Sequence, residues 1–222
     1  MFINNFNLGQ RQLLLSGSNK KIYSASKDSI VLHYHTNHHN IWRNHICSML
    51  WQYLSNMGIK NHFIQKLSVR EQLVKAAETH PIFATVHNIS TKEMQDKFEI
   101  DEGTQFATPL IEWRFKNKDL EHPTVSTDHI LHFGWITQRQ MDEIKKLIFR
   151  TNDVLKAYFY CYNMRLGSLN LEFGSIKDEI LLIDEISPET CEFWDHSITF
   201  TLTRDAVYEN LKSMFRTEKK PE

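Results

Sequence analysis

The first sixty residues alternate short apolar runs with polar turns. Residues 20–34, KKIYSASKDSIVLHY, contain two runs rich in β-forming residues on either side of a polar turn, a pattern that predicts a β-hairpin. Residues 44–57 carry apolar side chains at helical spacing, and Gly58 stands where a glycine commonly ends a helix. A sheet is therefore expected to open the fold, with a helix after its first hairpin.

The stretch 67–86 fits two interpretations. Ser68 and Glu71 match a capping box that would begin a helix, whereas EQLVKA and PIFATV are typical of strands around a turn at His80 and Pro81. We favour the two strands.

A long amphipathic helix is predicted to begin at Thr137. Gln140 completes a capping box with Thr137, and apolar residues recur on one face as far as Phe159. If this helix is broken, the break is expected at Thr151 and Asn152. Residues 205–215 predict a last amphipathic helix, so the overall pattern indicates an α+β fold.

A second hairpin is predicted from residues 166–173 and 180–183, with its turn at 174–178. Alternation along its first strand gives an apolar face, made by Leu169, Leu171 and Phe173, and a polar face, made by Ser168, Asn170 and Glu172. The second strand is continuously apolar and runs directly into Asp184 and Glu185. Carboxylates in such a place are costly to desolvate, which favours a cation, a hydrogen-bond network or a reaction that uses them.

Two acids of this hairpin are candidate metal ligands. A register that pairs Asn170 with Asp184 puts Leu181 and Ile183 on the apolar face and leaves Asp184 diagonal to Glu172, roughly 7 to 8 Å away. Two carboxylates on a rigid sheet suit Mg²⁺, which takes its other ligands from phosphate and water. Solvated acids on an open sheet face are the alternative.

Composition and charge exclude several classes of partner. The chain has 222 residues, and its 26 Lys and Arg nearly balance 27 Asp and Glu, so no overall field favours nucleic acid or an anionic membrane. The first ten residues do not resemble a signal peptide, and no apolar run approaches the roughly 20 residues that span a bilayer. A cytoplasmic location is expected.

Cysteine and histidine offer weaker candidates. The three cysteines have no CxxC spacing, and Cys191 is expected to be unreactive because the neighbouring acids raise a thiol pKa. Five histidines near the first hairpin could hold a transition metal, although no Cys or Asp completes a ligand pattern. These are His33, His35, His38, His39 and His45.

Residues 171–195, LEFGSIKDEILLIDEISPETCEFWD, resemble the C-terminal signature of the SAICAR synthetase (phosphoribosylaminoimidazole-succinocarboxamide synthase) family, D-F-K-L-E-F-G followed by D-E-x-S-P-D-[ST]-x-R-x-W-D. Gly17, Lys20 and Tyr23 fit the family's N-terminal G-K-x-K-x-x-Y. GIKNHF at 58–63 is similar to G-I-P-T-H-F, and FGWITQRQM with TNDVL fits the long-helix region. The resemblance covers nearly the whole chain.

The resemblance implies a two-lobed α+β fold. Residues 1–85 would form an antiparallel sheet lobe like a kinase small lobe, on the nucleotide side, and residues 86–222 a larger mixed α/β lobe. ATP and Mg²⁺ would occupy the cleft between them. In the family reaction, ATP phosphorylates the carboxylate of an aminoimidazole ribonucleotide, and the amine of aspartate then displaces phosphate.

Site residues follow by position from the same resemblance. Glu172 and Asp184 match the catalytic acids that hold magnesium and nucleotide, and Lys20 matches a phosphate-contacting lysine. Substrate contacts are implied for four further residues: Lys116, Asn117, Ser187 and Asp195. A homodimer is expected by analogy with bacterial relatives.

The sequence departs from the family pattern mainly where the ribonucleotide should bind. Five differences are Ser18 for lysine, His87 for arginine, Glu93 for serine, Asn170 for lysine and Glu192 for arginine. A charge-assisted contact is worth roughly 1.5 to 3 kcal/mol, so two lost arginines correspond to about 10² to 10⁴ in affinity. Two hypotheses follow: an ATP-dependent amide ligase with an altered acceptor pocket, or a catalytically degraded relative that binds a nucleotide or a partner protein.

Overall fold

The computed structural model describes residues 11–36 and 38–217. The strands are β1 (Leu13–Ser16), β2 (Lys20–Ser26), β3 (Ser29–Tyr34), β4 (Phe63–Lys66), β5 (Glu71–Lys75), β6 (Glu78–Ile89), β7 (Gln105–Phe115), β8 (Thr124–Val125), β9 (Met164–Ile176), β10 (Glu179–Ile183) and β11 (Cys191–Asp195). The helices are α1 (His38–Asn56), α2 (Lys92–Phe98), α3 (Thr127–His132), α4 (Gln138–Tyr160) and α5 (Arg204–Thr217).

The first sheet is antiparallel and has the strand order β1-β2-β3-β5-β4. The predicted first hairpin is confirmed as β2 and β3. The stretch 67–86 forms strands as favoured, but the expected turn at His80 and Pro81 is wrong, because both residues lie within β6. Pro81 lacks an N–H, and the pairing of β6 with β9 shifts register between Thr79 and Phe83.

Helix α1 follows the first sheet and begins earlier than the pattern predicted, at His38. Its end agrees with the prediction: Gly58 has φ 71°, and the N–H of Ile59 donates to the carbonyl of Leu54 at 2.9 Å. Leu50 and Trp51 are buried in the main core, which anchors the helix beneath the sheets.

The second sheet has the order β10-β9-β6-β7-β8, with β11 paired to β9. Helix α4 covers its apolar face and is capped by Thr137 and Gln140 as predicted. No break occurs at the two polar residues. Thr151 donates to the carbonyl of Leu147, and Asn152 exchanges two 2.8 Å hydrogen bonds with Asn88, so both are satisfied within the core.

The β9–β10 hairpin has a register one residue away from the prediction. Ile183 lies opposite Glu172, which rules out the pairing of Asn170 with Asp184. Ile180 and Leu182 therefore join the main core, and Leu181 and Ile183 do not. The reason is the turn, which uses only Lys177 and Asp178, both with positive φ, as a two-residue hairpin requires.

Gly174 allows β9 to approach the start of β6. A Cβ added there would lie 2.8 Å from the carbonyl oxygen of Glu78, so a side chain would push the strands apart. This glycine belongs to the LEFG segment that carries Glu172.

The observed architecture is the α+β fold that was predicted, with two antiparallel sheets and helices between and beside them. The chain passes from the first sheet to the second between β5 and β6. A division into domains at residues 85 and 86 remains a prediction. No helix in the described part of the chain is long and apolar enough to cross a membrane.

Candidate active site

A cavity of about 420 Å³ lies between the two sheets. Its walls come from the β1–β2 turn, β2, β3, the start of β6 and the end of the β9–β10 hairpin. Four predicted residues line this cavity together: Lys20, Lys116, Glu172 and Asp184.

Lys20 enters the cavity from the first residue of β2. Its ammonium group forms an ion pair with Asp184 and lies 3.7 Å from Glu185. Burial by itself lowers the pKa of Lys20, but the charges of Asp184 and Glu185 outweigh this effect and hold the pKa above its usual value. The lysine is therefore fully charged at neutral pH.

Asp184 reaches the cavity because the strand ends immediately before it. Its φ is 68°, the left-handed conformation that aspartate tolerates better than most residues. Regular alternation would have directed its side chain away from the face shared by Glu172 and Ile183. Burial by itself raises the pKa of Asp184, but the charge and hydrogen bond of Lys20 lower it below its usual value.

Glu172 projects from the polar face of β9 and forms an ion pair with Lys116 from the end of β7. Its pKa is raised, first by burial and then by the negative charge of Asp184, although Lys116 acts in the opposite direction. Because the charge of Asp184 raises the pKa of Glu172, the two carboxylates are close enough to interact electrostatically.

The charges of the cavity suit a polyphosphate. Five cations face two carboxylates, and the cations are Lys20, Arg43, Lys75, Lys116 and Lys118. An apolar wall completes the cavity and is formed mainly by Leu15, Ile22, Ile30 and Leu32. Such a combination can hold a flat heterocycle against the first sheet and its phosphates against the second.

The donor set also fits magnesium. Two carboxylates beside several cations suit Mg²⁺, which takes its remaining ligands from phosphate and water. No group of three or more His, Cys, Asp or Glu capable of holding a metal occurs among the described residues. The histidine site considered above thus finds no support there, and the side chains of His38 and His39 lie outside the described part.

A buried ion pair behind the cavity was not anticipated. Arg43 of α1 binds Glu185, whose side chain is fully buried and also accepts a hydrogen bond from Ser187. Glu185 therefore couples the first helix to Lys20 and to the loop after β10. The acid itself was visible in the sequence beside Asp184, whereas nothing in the local pattern of α1 identified Arg43 as its partner.

His62 was also missed as a cavity residue. It is buried against Trp51, with ring centroids 5.5 Å apart, and burial lowers its pKa to about 3. The imidazole is therefore neutral at physiological pH and adds no charge to the nucleotide side.

A second group of polar residues lies on the sheet beside Glu172. We define the polar sheet face as Thr85, His87, Glu112, Arg114, Ser168, Asn170 and Glu192, which strand register places together on β6, β7, β9 and β11. Asn170 accepts a hydrogen bond from Thr85 at 2.8 Å, and Glu192 accepts one from Trp194 at 3.2 Å.

Other departures from the family pattern lie elsewhere. Glu93 is exposed on α2 and pairs with Lys97 at 2.6 Å. Ser18 lines the cavity between the two sheets.

Three predicted substrate residues have structural partners of their own. Asn117 accepts hydrogen bonds from the backbone of Asp119 and Leu120, and Ser187 is buried against Glu185. Asp195 accepts backbone hydrogen bonds in the turn after β11. None of the three lines the cavity between the two sheets, so a contact with substrate remains a prediction for them.

The cysteines have no reactive environment in the core. Burial raises the pKa of both Cys47 and Cys191 to about 12, so their thiols are protonated at neutral pH. This agrees with the expectation that Cys191 is not a nucleophile.

Comparison with known proteins places this geometry in context. The family model described as SAICAR synthetase matches residues 30–220. A phosphoribosylaminoimidazole-succinocarboxamide synthase from Ehrlichia chaffeensis is 39% identical over 175 residues, which cover 77% of this chain and 72% of the relative. The enzyme of that name from Neorickettsia sennetsu is 40% identical over 168 residues, 76% of this chain and 70% of the relative.

Solved structures give the same assignment. The crystal structure of the Ehrlichia chaffeensis synthase aligns with a TM-score of 0.83 at 30% identity and covers 95% of this chain and 100% of that one. A SAICAR synthetase in complex with ADP aligns with a TM-score of 0.82 at 25% identity, covering 94% and 99%. The SAICAR-bound synthase from Saccharomyces cerevisiae, at 15% identity and a TM-score of 0.74, covers 96% and 86% and shares the fold.

Proposed function

The chain belongs to the SAICAR synthetase family of ATP-dependent ligases in purine biosynthesis, and we propose that it is itself such a carbon–nitrogen ligase with an altered acceptor pocket. The observation that carries the proposal is the convergence of Lys20, Lys116, Glu172 and Asp184 on one cavity, where cations outnumber acids even when Glu185, the partner of Arg43, is counted. That charge matches a nucleoside triphosphate.

The proposed reaction has two steps. The acceptor carboxylate attacks the γ-phosphorus of ATP, which releases ADP and forms an acyl phosphate. The amine of aspartate then attacks the acyl carbon, the C–N bond forms, and inorganic phosphate leaves.

Lysine side chains of this chain would stabilise the transferred phosphoryl group. Lys20 and Lys116 each hold one acid in the structure, and both acids are close enough to influence each other. On nucleotide binding, the lysines would turn from the carboxylates to the phosphates. Preorganised cations next to the transferring group are the usual source of catalysis in phosphoryl transfer.

Glu172 and Asp184 would then be released to hold Mg²⁺, which supplies charge neutralisation at the phosphates when bound. The left-handed backbone of Asp184 fixes its carboxylate towards Glu172. Glu185 lies 3.7 Å from the Lys20 ammonium and is held by Arg43, so it would keep Lys20 close to the cavity when the lysine turns from Asp184 to a phosphate.

The polar sheet face is the proposed acceptor side because it continues directly from Glu172 along β9. Its charges differ from those of the family pattern: His87 contacts Glu112 at 3.3 Å, and Glu192 stands where an arginine is expected. This supports weaker binding of the usual ribonucleotide, or a different carboxylate as acceptor.

The decisive experiment measures ADP release from ATP, Mg²⁺, aspartate and the aminoimidazole carboxylate ribonucleotide. Turnover that is lost in Glu172→Gln and retained in Glu179→Gln would support the proposal. Glu179 is a matched control, because it is an exposed acid on the same hairpin, paired with Lys60.

The alternative, a degraded relative, is favoured by Glu112 and Glu192 on the polar sheet face. It would be established by Mg²⁺-dependent ATP binding without turnover on any carboxylate acceptor tested.

A homodimer and a cytoplasmic location are further parts of the proposal, and sedimentation of the purified protein tests the first.

A further inference from the structure

Arg114 occupies an unusual position on the polar sheet face. In the register of the second sheet, Phe83 lies opposite Arg114 on one side and opposite Glu172 on the other. The backbones of Arg114 and Glu172 are thus two strand spacings apart, about 10 Å. Arg114 is on the acceptor side of the acids and outside the nucleotide cavity.

The guanidinium of Arg114 ends beside His87. Its Nη2 lies 3.4 Å from Oε2 of Glu112, and Nε2 of His87 lies 3.3 Å from the same oxygen. Both nitrogens therefore flank one carboxylate oxygen. The family pattern has an arginine at the position of His87 on β6. In this chain, the guanidinium in that neighbourhood is that of Arg114, which comes from β7.

Most guanidinium N–H groups of Arg114 have no hydrogen-bond partner among the residues that the structure describes. A guanidinium has five donors, and the contact with Glu112 is long and uses one of them. The side chain is 30% exposed, enough to meet a ligand on the sheet.

Two other arginines that could have replaced the lost cation are engaged. Arg43 binds Glu185, whereas Arg165 donates to the carbonyl of His196 and stacks on Tyr160. Arg114, by contrast, belongs to the polar sheet face and lies beside Glu112.

We propose that Arg114 is a specificity-determining residue that binds the phosphate monoester of the acceptor. The inference rests on the proposed function for the orientation of the acceptor, with its carboxylate at Glu172 and Asp184 and its phosphate towards His87. The cation that the family pattern places on β6 has thus moved to the neighbouring strand. A planar guanidinium suits a phosphate because it can donate two parallel hydrogen bonds.

Calorimetry with Mg²⁺ and a non-hydrolysable ATP analogue tests this assignment, using the aminoimidazole carboxylate ribonucleotide and its nucleoside. Arg114→Gln should weaken ribonucleotide binding about 10- to 100-fold and leave nucleoside binding unchanged. Arg114→Lys should fall between, because lysine keeps the charge without the paired donors. His87→Arg should restore binding in the Arg114→Gln protein.

Arg139→Gln is the matched control, since Arg139 is 82% exposed on α4. Equal losses for ribonucleotide and nucleoside, no loss for either, or no ribonucleotide binding by the unaltered protein would overturn the assignment. The two proposals fail separately. Ribonucleotide binding that depends on Arg114, without ADP release, would reject the ligase and keep the Arg114 site. Turnover that is unaffected by Arg114→Gln would keep the ligase and reject the Arg114 site.

Discussion

The nucleotide cavity and the polar sheet face use charge in opposite ways. Around Asp184, cations exceed acids, and the pairs are backed by the buried Glu185 and Arg43. On the polar sheet face, Glu112 already contacts both His87 and Arg114, and Glu192 adds a further negative charge. The comparison teaches that a cavity with excess positive charge can adjoin a sheet face on which acids already occupy the cations.

The largest expected effect is on the nucleotide side. Asp184→Asn should lower the rate of ADP release about 10²- to 10³-fold, because it removes one of two acids needed at the phosphates. Asp178→Asn is the control, as Asp178 also has a positive φ that asparagine tolerates but lies exposed in the hairpin turn. Comparable rates for the two variants would remove Asp184 from the active site.

Stability should distinguish the buried pair from a surface pair. Glu185→Gln leaves Arg43 without its anion and should reduce the free energy of unfolding by about 3 to 5 kcal/mol. Glu179→Gln, which breaks the exposed pair with Lys60, should cost about 1 kcal/mol or less. Urea unfolding of both variants measures the difference, and equal losses would mean that the corner behind Lys20 contributes no more than a surface contact.

Binding on the polar sheet face should be improvable. His87→Arg combined with Glu192→Arg restores cations at two positions of the family pattern and should strengthen ribonucleotide binding about 100-fold. Calorimetry provides the measurement, and ATP affinity in the same proteins is the control. Unchanged ribonucleotide affinity would show that the acceptor binds elsewhere.

The most gradual effect concerns pH. His62 has a folded pKa of about 3, so between pH 6.5 and 4 the unfolded chain binds a proton that the folded protein does not. Stability should therefore fall as pH decreases through this window, by up to about 1.4 kcal/mol per pH unit from His62 alone. His80, whose pKa burial also lowers, acts with the same sign.

His62→Gln should flatten this dependence, and urea unfolding at several pH values between 4 and 6.5 measures it. Exposed His132 provides the matched control, because His132→Gln should leave the slope unchanged. An unchanged slope in His62→Gln would show that the imidazole is accessible to protons in the folded protein.

Much of the fold followed from local pattern. The hairpin of β2 and β3, the end of α1 at Gly58, and the capping of α4 by Thr137 were all predicted, because each depends on residues a few positions apart. The family resemblance predicted that Glu172 and Asp184 lie in the same cleft. Their shared cavity agrees with that expectation, although their catalytic role awaits the experiment above.

Errors arose where a distant contact or one backbone angle decided the outcome. The break considered for α4 at Thr151 and Asn152 is absent because Asn88, 64 residues away, satisfies the second of them. The register of the β9–β10 hairpin depended on the number of residues in its turn. A shift of one residue exchanges the faces of Leu181 and Leu182.

The sequence by itself determined the α+β class, the family, and the acids at the end of β10, since these reside in periodicity and in a contiguous motif. Tertiary structure alone decided that Arg43 binds Glu185 and that Arg114 ends beside His87. Their partners are brought together by helix docking and by strand register, and the interaction of charges depends on distance in space, which local sequence does not contain.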